Sequence, residues 1–184
     1  MSNVMKEVNS KNSDLEKDKT VKKKEALNIE HCVHQALTKN YDRYYRLAYS
    51  YAKNEADAMD IVQEGAYRAI LKCGSIRQKE FIETWIYRVM IRTALNYIKK
   101  RKQEQKFAEI SDIAEGIEDH YENVDLKNAI RQLGEPAGTI IRLRFFEELP
   151  ISQIAKILEE NENTVKSRLY RSLKSLKKAM EQEG

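Results

Sequence analysis

Ile82, Ile86, Val89, Thr93 and Tyr97 recur at intervals of three and four, the spacing of a helix face turned to a core. On a different face of the same stretch stand Arg88, Arg92, Asn96 and Lys99, and Lys99 to Lys102 close it with an unbroken basic end. The same periodicity predicts a helix through Val33, Leu37, Tyr41, Tyr44, Leu47, Ala48 and Tyr51. Another runs from Glu55 to Leu71, with Ala58, Ile61, Val62, Gly65, Ala66, Ala69 and Ile70 inward and Asn54 as its cap. Near the C-terminus, Ile151 to Leu158 predicts a short helix buried through Ile151, Ile154, Ala155 and Leu158. After the polar turn Glu159 to Asn163 comes a longer helix, anchored through Val165, Leu169, Leu173, Leu176 and Met180. A short helix, a compact turn and a longer helix anchored on one face form a helix-turn-helix pattern. Upstream of it, Leu126, Ile130 and Leu133 mark a short helix ended by Gly134 and Pro136. Thr139 to Phe146 follows, with Arg142 and Arg144 expected outward.

The expected fold is all-α: two small helical domains, at residues 29–102 and 126–184, joined by an acidic linker at 103–125 and preceded by a charged tail at 1–28. Composition supports helix, with 2 prolines and 6 glycines against 34% charged residues. The tail has too few apolar side chains to offset its ordering, so it is expected to be mobile. The net charge of +4 conceals a strong layout. Residues 31–102 carry 14 basic and 7 acidic side chains, residues 103–125 carry 1 and 8, and residues 126–184 carry 11 and 8. Basic blocks on either side of an acidic one suit a chain that meets phosphate at two places.

Several chemistries find little support. No apolar run reaches the length that spans a bilayer, and the N-terminus lacks a signal-type apolar core, so a cytoplasmic protein without membrane insertion is expected. Cys32 and Cys73 make no disulfide framework. His31, Cys32 and His34 lie close together, but no CxxC or HExxH accompanies them, so no metal and no cofactor is expected. No nucleophile with its base, phosphate loop or paired-carboxylate pocket stands out, and the chain is not expected to be an enzyme. The cluster Tyr41, Tyr44, Tyr45, Tyr49 and Tyr51 suits either base stacking or packed helix crossings, and its spacing fits core plus rim.

Two faces carry candidate binding chemistry. Asp57, Asp60 and Glu64, three and four apart, put an acidic face on one helix of a basic domain, suited to a protein partner with positive helices or simply to solubility. The exposed side of the last helix offers Thr164, Lys166, Ser167, Arg168, Arg171, Lys174 and Lys177. Its N-terminal end is the end that enters the major groove in this motif, where arginine and lysine reach guanine edges and later cations suit phosphates.

From about Ala36 to Lys178 the chain resembles the extracytoplasmic-function group of bacterial sigma-70 family sigma factors. Three segments carry the resemblance: DAMDIVQE (Asp57–Glu64), FIETWIYRVMIRTALNYIKKRK (Phe81–Lys102), and RLRFFEELPISQIAKIL with NTVKSRLYRSLKSLKKAM (Arg142–Leu158, Asn163–Met180). It implies a subunit that binds core RNA polymerase and directs promoter recognition and DNA melting. Asp57, Asp60, Ile61, Gln63 and Glu64 would dock on the clamp helices of the large beta-prime subunit. Arg88, Arg92, Asn96, Lys99 and Lys100 would face the −10 element and single-stranded DNA. Thr164, Lys166, Ser167, Arg168 and Arg171 would read the −35 element. The loop Cys73 to Glu80 would capture a flipped base, with Trp85 in the core or as a melting wedge. An anti-sigma factor is the further partner implied. Arg92 stands where the family usually has asparagine, and Asn96 replaces a common aspartate. Glu159, Glu160 and Asn161 replace the usual glycine, apolar residue and proline of the turn, while Asn163, replacing another glycine, is expected to cap the following helix. Two rival readings are a stand-alone helix-turn-helix regulator of duplex DNA and a helical adaptor that binds no DNA.

Overall fold

Asn54 is extended (φ −135°), and its side-chain oxygen accepts a hydrogen bond from the Asp57 amide at 2.8 Å, so the chain turns sharply between two helices. This is the cap expected from sequence, with Glu55 and Asp57 in the first turn where negative charge opposes the helix dipole. The computed structural model describes residues 24–109 and 129–182. Helix α1 covers residues 24–39, α2 Tyr41–Ala52, α3 Glu55–Lys72 and α4 Ile82–Glu109. Short 3-10 turns at Cys73–Ser75 and Lys79–Phe81 lead from α3 into α4. Helix α5 covers residues 129–132, α6 Ala137–Ile141, and a π-helical turn Arg142–Phe146 continues it. The last pair is α7 Ile151–Leu158 and α8 Glu162–Gln182. The tail reading falls almost wholly outside the described residues, as does most of the linker; where the structure does describe the latter, α4 runs on through Glu109, past the expected boundary at Lys102.

The first body is α1–α4 around Val33, Leu47, Ile61, Ile86, Tyr87 and Met90, all buried. Gly65 sets how closely α3 and α4 approach, because a β-carbon there would lie 2.4 Å from Met90 Sδ. Of the α4 stripe read from sequence, Ile82, Ile86 and Thr93 are buried and Val89 and Tyr97 half-buried. Tyr87, Met90, Ile91 and Ala94 are buried as well, so α4 is held on more than one side. Trp85 is half-buried against the core. The tyrosine cluster divides. Tyr44 and Tyr51 are core, while Tyr41, Tyr45 and Tyr49 form a ladder on α2 with ring centroids 6.4 and 6.3 Å apart.

The second body packs α7 and α8 on α6 through Ile140, Leu143, Ile154, Ala155, Val165 and Leu169. Its α8 stripe differs from the expected one. Ser172 is buried, while Leu173 and Met180 are exposed. Ser172 lies seven residues after Val165 and four before Leu176, which centres it on that face, and its hydroxyl is satisfied by the Arg168 carbonyl at 2.8 Å. In α7, Ile154, Ala155 and Ile157 are buried, whereas Ile151 and Leu158 are half-buried. Helix α7 also packs on α4 of the first body, where the Ile157 carbonyl accepts from Arg88.

That contact is part of an extensive junction between the two bodies. Arg142, expected outward, is buried instead. Its guanidinium lies 4.2 Å from the Tyr51 ring centroid and donates to the Ser50 carbonyl at 3.3 Å. The Tyr51 hydroxyl bonds Thr139 Oγ1. Glu147 has no exposed side-chain surface. It accepts from the Tyr87 hydroxyl at 3.1 Å, pairs with Arg43 at 3.4 Å, and lies 3.9 Å from Arg46. A cation buried over a ring and a carboxylate between two arginines replace solvent on both sides of the junction.

Candidate polymerase and nucleic-acid interfaces

Helix α3 turns Asp60, Gln63 and Glu64 to solvent. With Tyr67 and Tyr97 they line a shallow groove, and the Tyr97 phenol is pushed up by burial and then by the Asp60 and Glu104 carboxylates. Glu64 pairs with Arg68 one turn on. The two other residues of the expected docking set point elsewhere. Asp57 accepts from the Tyr97 hydroxyl at 2.7 Å and from Asn54 Nδ2 at 2.7 Å, and pairs with Arg101, so it ties α3 to α4. Ile61 is fully buried and supports the face from beneath. Sequence reasoning left out the apolar half of this face: Met59, Tyr67 (62% exposed) and Leu71 (66% exposed). Tyr67 and Leu71 continue the Asp60–Glu64 row at helical spacing, which was the available signal.

Helix α4 holds Arg92, Asn96, Lys99 and Lys100 on its exposed side, and Lys100 lies 3.6 Å from Glu104. Arg88 is half-buried and differs from these. Its Nε donates to the Ile157 carbonyl at 3.0 Å, Nη2 donates to the Lys156 carbonyl at 2.6 Å, and Nη1 pairs with Glu159. The loop at α4's start is anchored by buried Cys73 and Ile76, leaving Gly74, Arg77 and Gln78 exposed.

At the start of α8, Lys166, Ser167 and Arg171 are exposed and Thr164 and Arg168 half-buried. Arg168 pairs with Glu160 of the preceding turn, and Arg171 Nε donates back to the Ser167 carbonyl at 3.2 Å. Tyr170, unassigned from sequence, is 70% exposed on the same helix. The residue at the mouth of α8 is Asn161, whose side-chain oxygen accepts from the Asn163 amide at 2.8 Å. Asn163 itself lies inside the helix, so the expected cap moves back two positions.

Cations on α4 and at the N-terminal end of α8 supply donors for phosphate and base edges on two bodies, while α3 offers an acidic and apolar strip for protein contact. Among the described residues no group of three histidine, cysteine or acidic side chains is placed to hold a metal ion, and no helix is long and apolar enough to cross a membrane.

Comparison with known proteins gives a consistent answer. Sigma-70 region 2 matches residues 36–104 and sigma-70 region 4 matches residues 123–176. RNA polymerase sigma factor SigV of Bacillus subtilis is 43% identical over 143 residues, covering 77% of this chain and 86% of that protein. ECF RNA polymerase sigma factor SigW of the same species is 30% identical over 156 residues, covering 76% and 83%. Among solved structures, CnrH in complex with the cytosolic domain of CnrY has a TM-score of 0.64 at 15% identity, covering 86% of this chain and 96% of that one. The sigma factor RpoE in complex with the anti-sigma factor NepR from Bartonella quintana has a TM-score of 0.62 at 20% identity, covering 80% and 96%. Those two structures share the fold.

Proposed function

Because this chain belongs to the sigma-70 family of RNA polymerase sigma factors, in the extracytoplasmic-function group, we propose that its faces divide the work of promoter opening among three contacts. As a sigma factor it is a non-catalytic subunit that binds RNA polymerase and serves promoter recognition. The finer assignment follows from where the side chains stand. Asp60, Gln63 and Glu64, with Tyr67 and Leu71 beside them, meet the clamp helices of the polymerase. Asp57 fixes the angle of α3 on α4 rather than reaching the partner, and Ile61 holds α3 from below.

Arg92, Asn96, Lys99 and Lys100 face the −10 element and its displaced strand, joined by Arg88 once it is free of α7. Thr164, Lys166, Ser167, Arg168 and Arg171 read the −35 duplex. Unstacking costs a few kcal/mol per base step, and captured bases together with polymerase contacts offset it. An anti-sigma factor is the further partner, in keeping with the complex formed by the Bartonella relative.

The observation that most supports this reading is the pairing, in one chain, of an acidic strip on α3 with cationic faces on two separate helices. A stand-alone regulator needs only the second body, and an adaptor needs neither cationic face. The test is core-polymerase capture with the Asp60→Lys, Glu64→Lys double variant. Capture falls while helicity is kept if the strip is the docking surface; undiminished capture removes it from that role.

A further inference from the structure

Helix α7 ends with Glu159 in the left-handed region, at φ +57°, and with the Glu160 amide donating to the Ala155 carbonyl at 3.0 Å. In a helix end of this kind the residue after the left-handed one commonly folds an apolar side chain back onto the helix. Here that place holds a carboxylate. The Glu160 side chain is only 25% exposed, and its Oε2 is shielded from solvent with no hydrogen-bond partner among the described residues. Its Oε1 accepts from Arg168 Nη1 on α8. Support of the turn does not account for this pair, because an apolar side chain there would cost less. Arg168 is 33% exposed, and its Nε and Nη2 have no partner among the described residues. Those two donors share one edge of the guanidinium, the edge that can meet O6 and N7 of a guanine.

We propose that Glu160 is a positioning residue for base readout: it holds Arg168 toward one guanine of the −35 duplex and keeps it off the phosphates. The inference rests on the −35 role given to α8 above. Arginine has many rotamers, and an unheld guanidinium beside DNA can settle on a phosphate, a contact that carries no sequence information. A carboxylate on one side of the guanidinium restricts it before DNA arrives, so less freedom is lost on contact. The same negative charge opposes the DNA backbone and lowers affinity for every sequence alike. Glu160 thus lowers stability and general affinity while it raises discrimination at one base pair. These effects differ in sign, which lets them be told apart.

The experiment uses the full chain bound to core polymerase and a duplex library built on a promoter that this holoenzyme transcribes, randomised over its −35 region. Selected sequences are counted for the parent, Glu160→Leu, Glu160→Gln, Arg168→Ala and the Glu160→Leu, Arg168→Ala double variant. The parent enriches guanine at one position that Arg168→Ala makes indifferent. Glu160→Leu lowers that preference about fivefold, within the range of one bidentate base contact, and leaves the other positions alone. It also binds unselected duplex more tightly, with a salt slope steeper by up to about 0.9, the value of one phosphate contact. Glu160→Gln, an acceptor without charge, falls between. The double variant is no less selective than Arg168→Ala alone. Thermal melting of Glu160→Leu lies at or above that of the parent, so lost readout is not lost fold. Unchanged preference in both Glu160 variants overturns the positioning role. A loss spread evenly over the whole element, as a damaged turn would give, overturns it too. If Arg168→Ala keeps every preference, or the parent selects nothing, the −35 assignment falls and the positioning role with it. Selective loss in Arg168→Ala alone removes only Glu160.

Discussion

The Tyr87 hydroxyl, on the central helix of the first body, donates to the buried Glu147 carboxylate of the second at 3.1 Å. Both groups carry the mark of that burial. The Tyr87 phenol is pushed up by desolvation and then by the Glu147 charge, and the Glu147 carboxyl is pushed up by desolvation against the opposing pull of Tyr87, Arg46 and Arg43. Loss of water around the carboxylate thus outweighs two neighbouring cations. The contact joins two bodies that the sequence presents as separate modules.

Stability at this junction depends on pH. Glu147 holds its proton more tightly in the folded protein than its ordinary value of 4.5. Above 4.5 the folded state therefore binds more protons than the unfolded one, and stability falls with rising pH through the raised folded value. Thermal melting across that window decreases with pH in the parent. Glu147→Gln, neutral throughout, flattens this component; an unchanged slope in that variant assigns the dependence to other groups.

Tyr87→Phe deletes a donor to a buried carboxylate and keeps the ring that packs edge-on against Tyr44 at 5.3 Å between centroids. The expected loss is about 1–3 kcal/mol, the cost of leaving a buried polar group less satisfied. Urea unfolding measures it, and a change below about 0.5 kcal/mol, the range of neutral surface substitutions, contradicts the bond.

The entry to α8 tests the revised cap. Asn161→Ala loses the side-chain oxygen that accepts the Asn163 amide and costs about 1 kcal/mol. Asn163→Ala, inside the helix and exposed, is neutral or slightly stabilising. The reverse order in chemical denaturation places the cap at Asn163 after all.

Gly65→Val puts branched carbon where a β-carbon alone already comes within 2.4 Å of Met90 Sδ. Overpacking of this kind costs about 1–3 kcal/mol. Pairing it with Met90→Ala, which vacates the space, recovers part of the loss in a double-mutant cycle; strictly additive losses show that the two residues do not touch.

Most of the individual helices were legible. Periodicity marked α3, α4, α7 and α8, and the Asn54 cap was readable because an amide followed by acidic residues is a local signal. In the α8 stripe Val165, Leu169 and Leu176 are buried as expected, but Leu173 and Met180 are not, and Ser172 takes the place expected for Leu173: a small hydroxyl bonded to its own helix fits there as well as leucine. The junction was not legible. Arg142 looks like an outward charge until Tyr51 and Ser50, some ninety residues earlier, supply a ring and a carbonyl for it. Arg88 belongs to the basic row by spacing, and only tertiary packing shows it turned onto α7. In the candidate site, Asp60 and Glu64 could be read as an exposed face, but Asp57 could not be distinguished from them without the Tyr97 and Arg101 contacts.

Run-off transcription with purified core polymerase on a library of genomic fragments tests the central claim most directly. Addition of the chain yields transcripts starting at a defined set of fragments that share upstream sequence at two positions, and none appear with core enzyme alone. Transcription no different from that of core enzyme alone, in mild salt and with folded protein, contradicts the account.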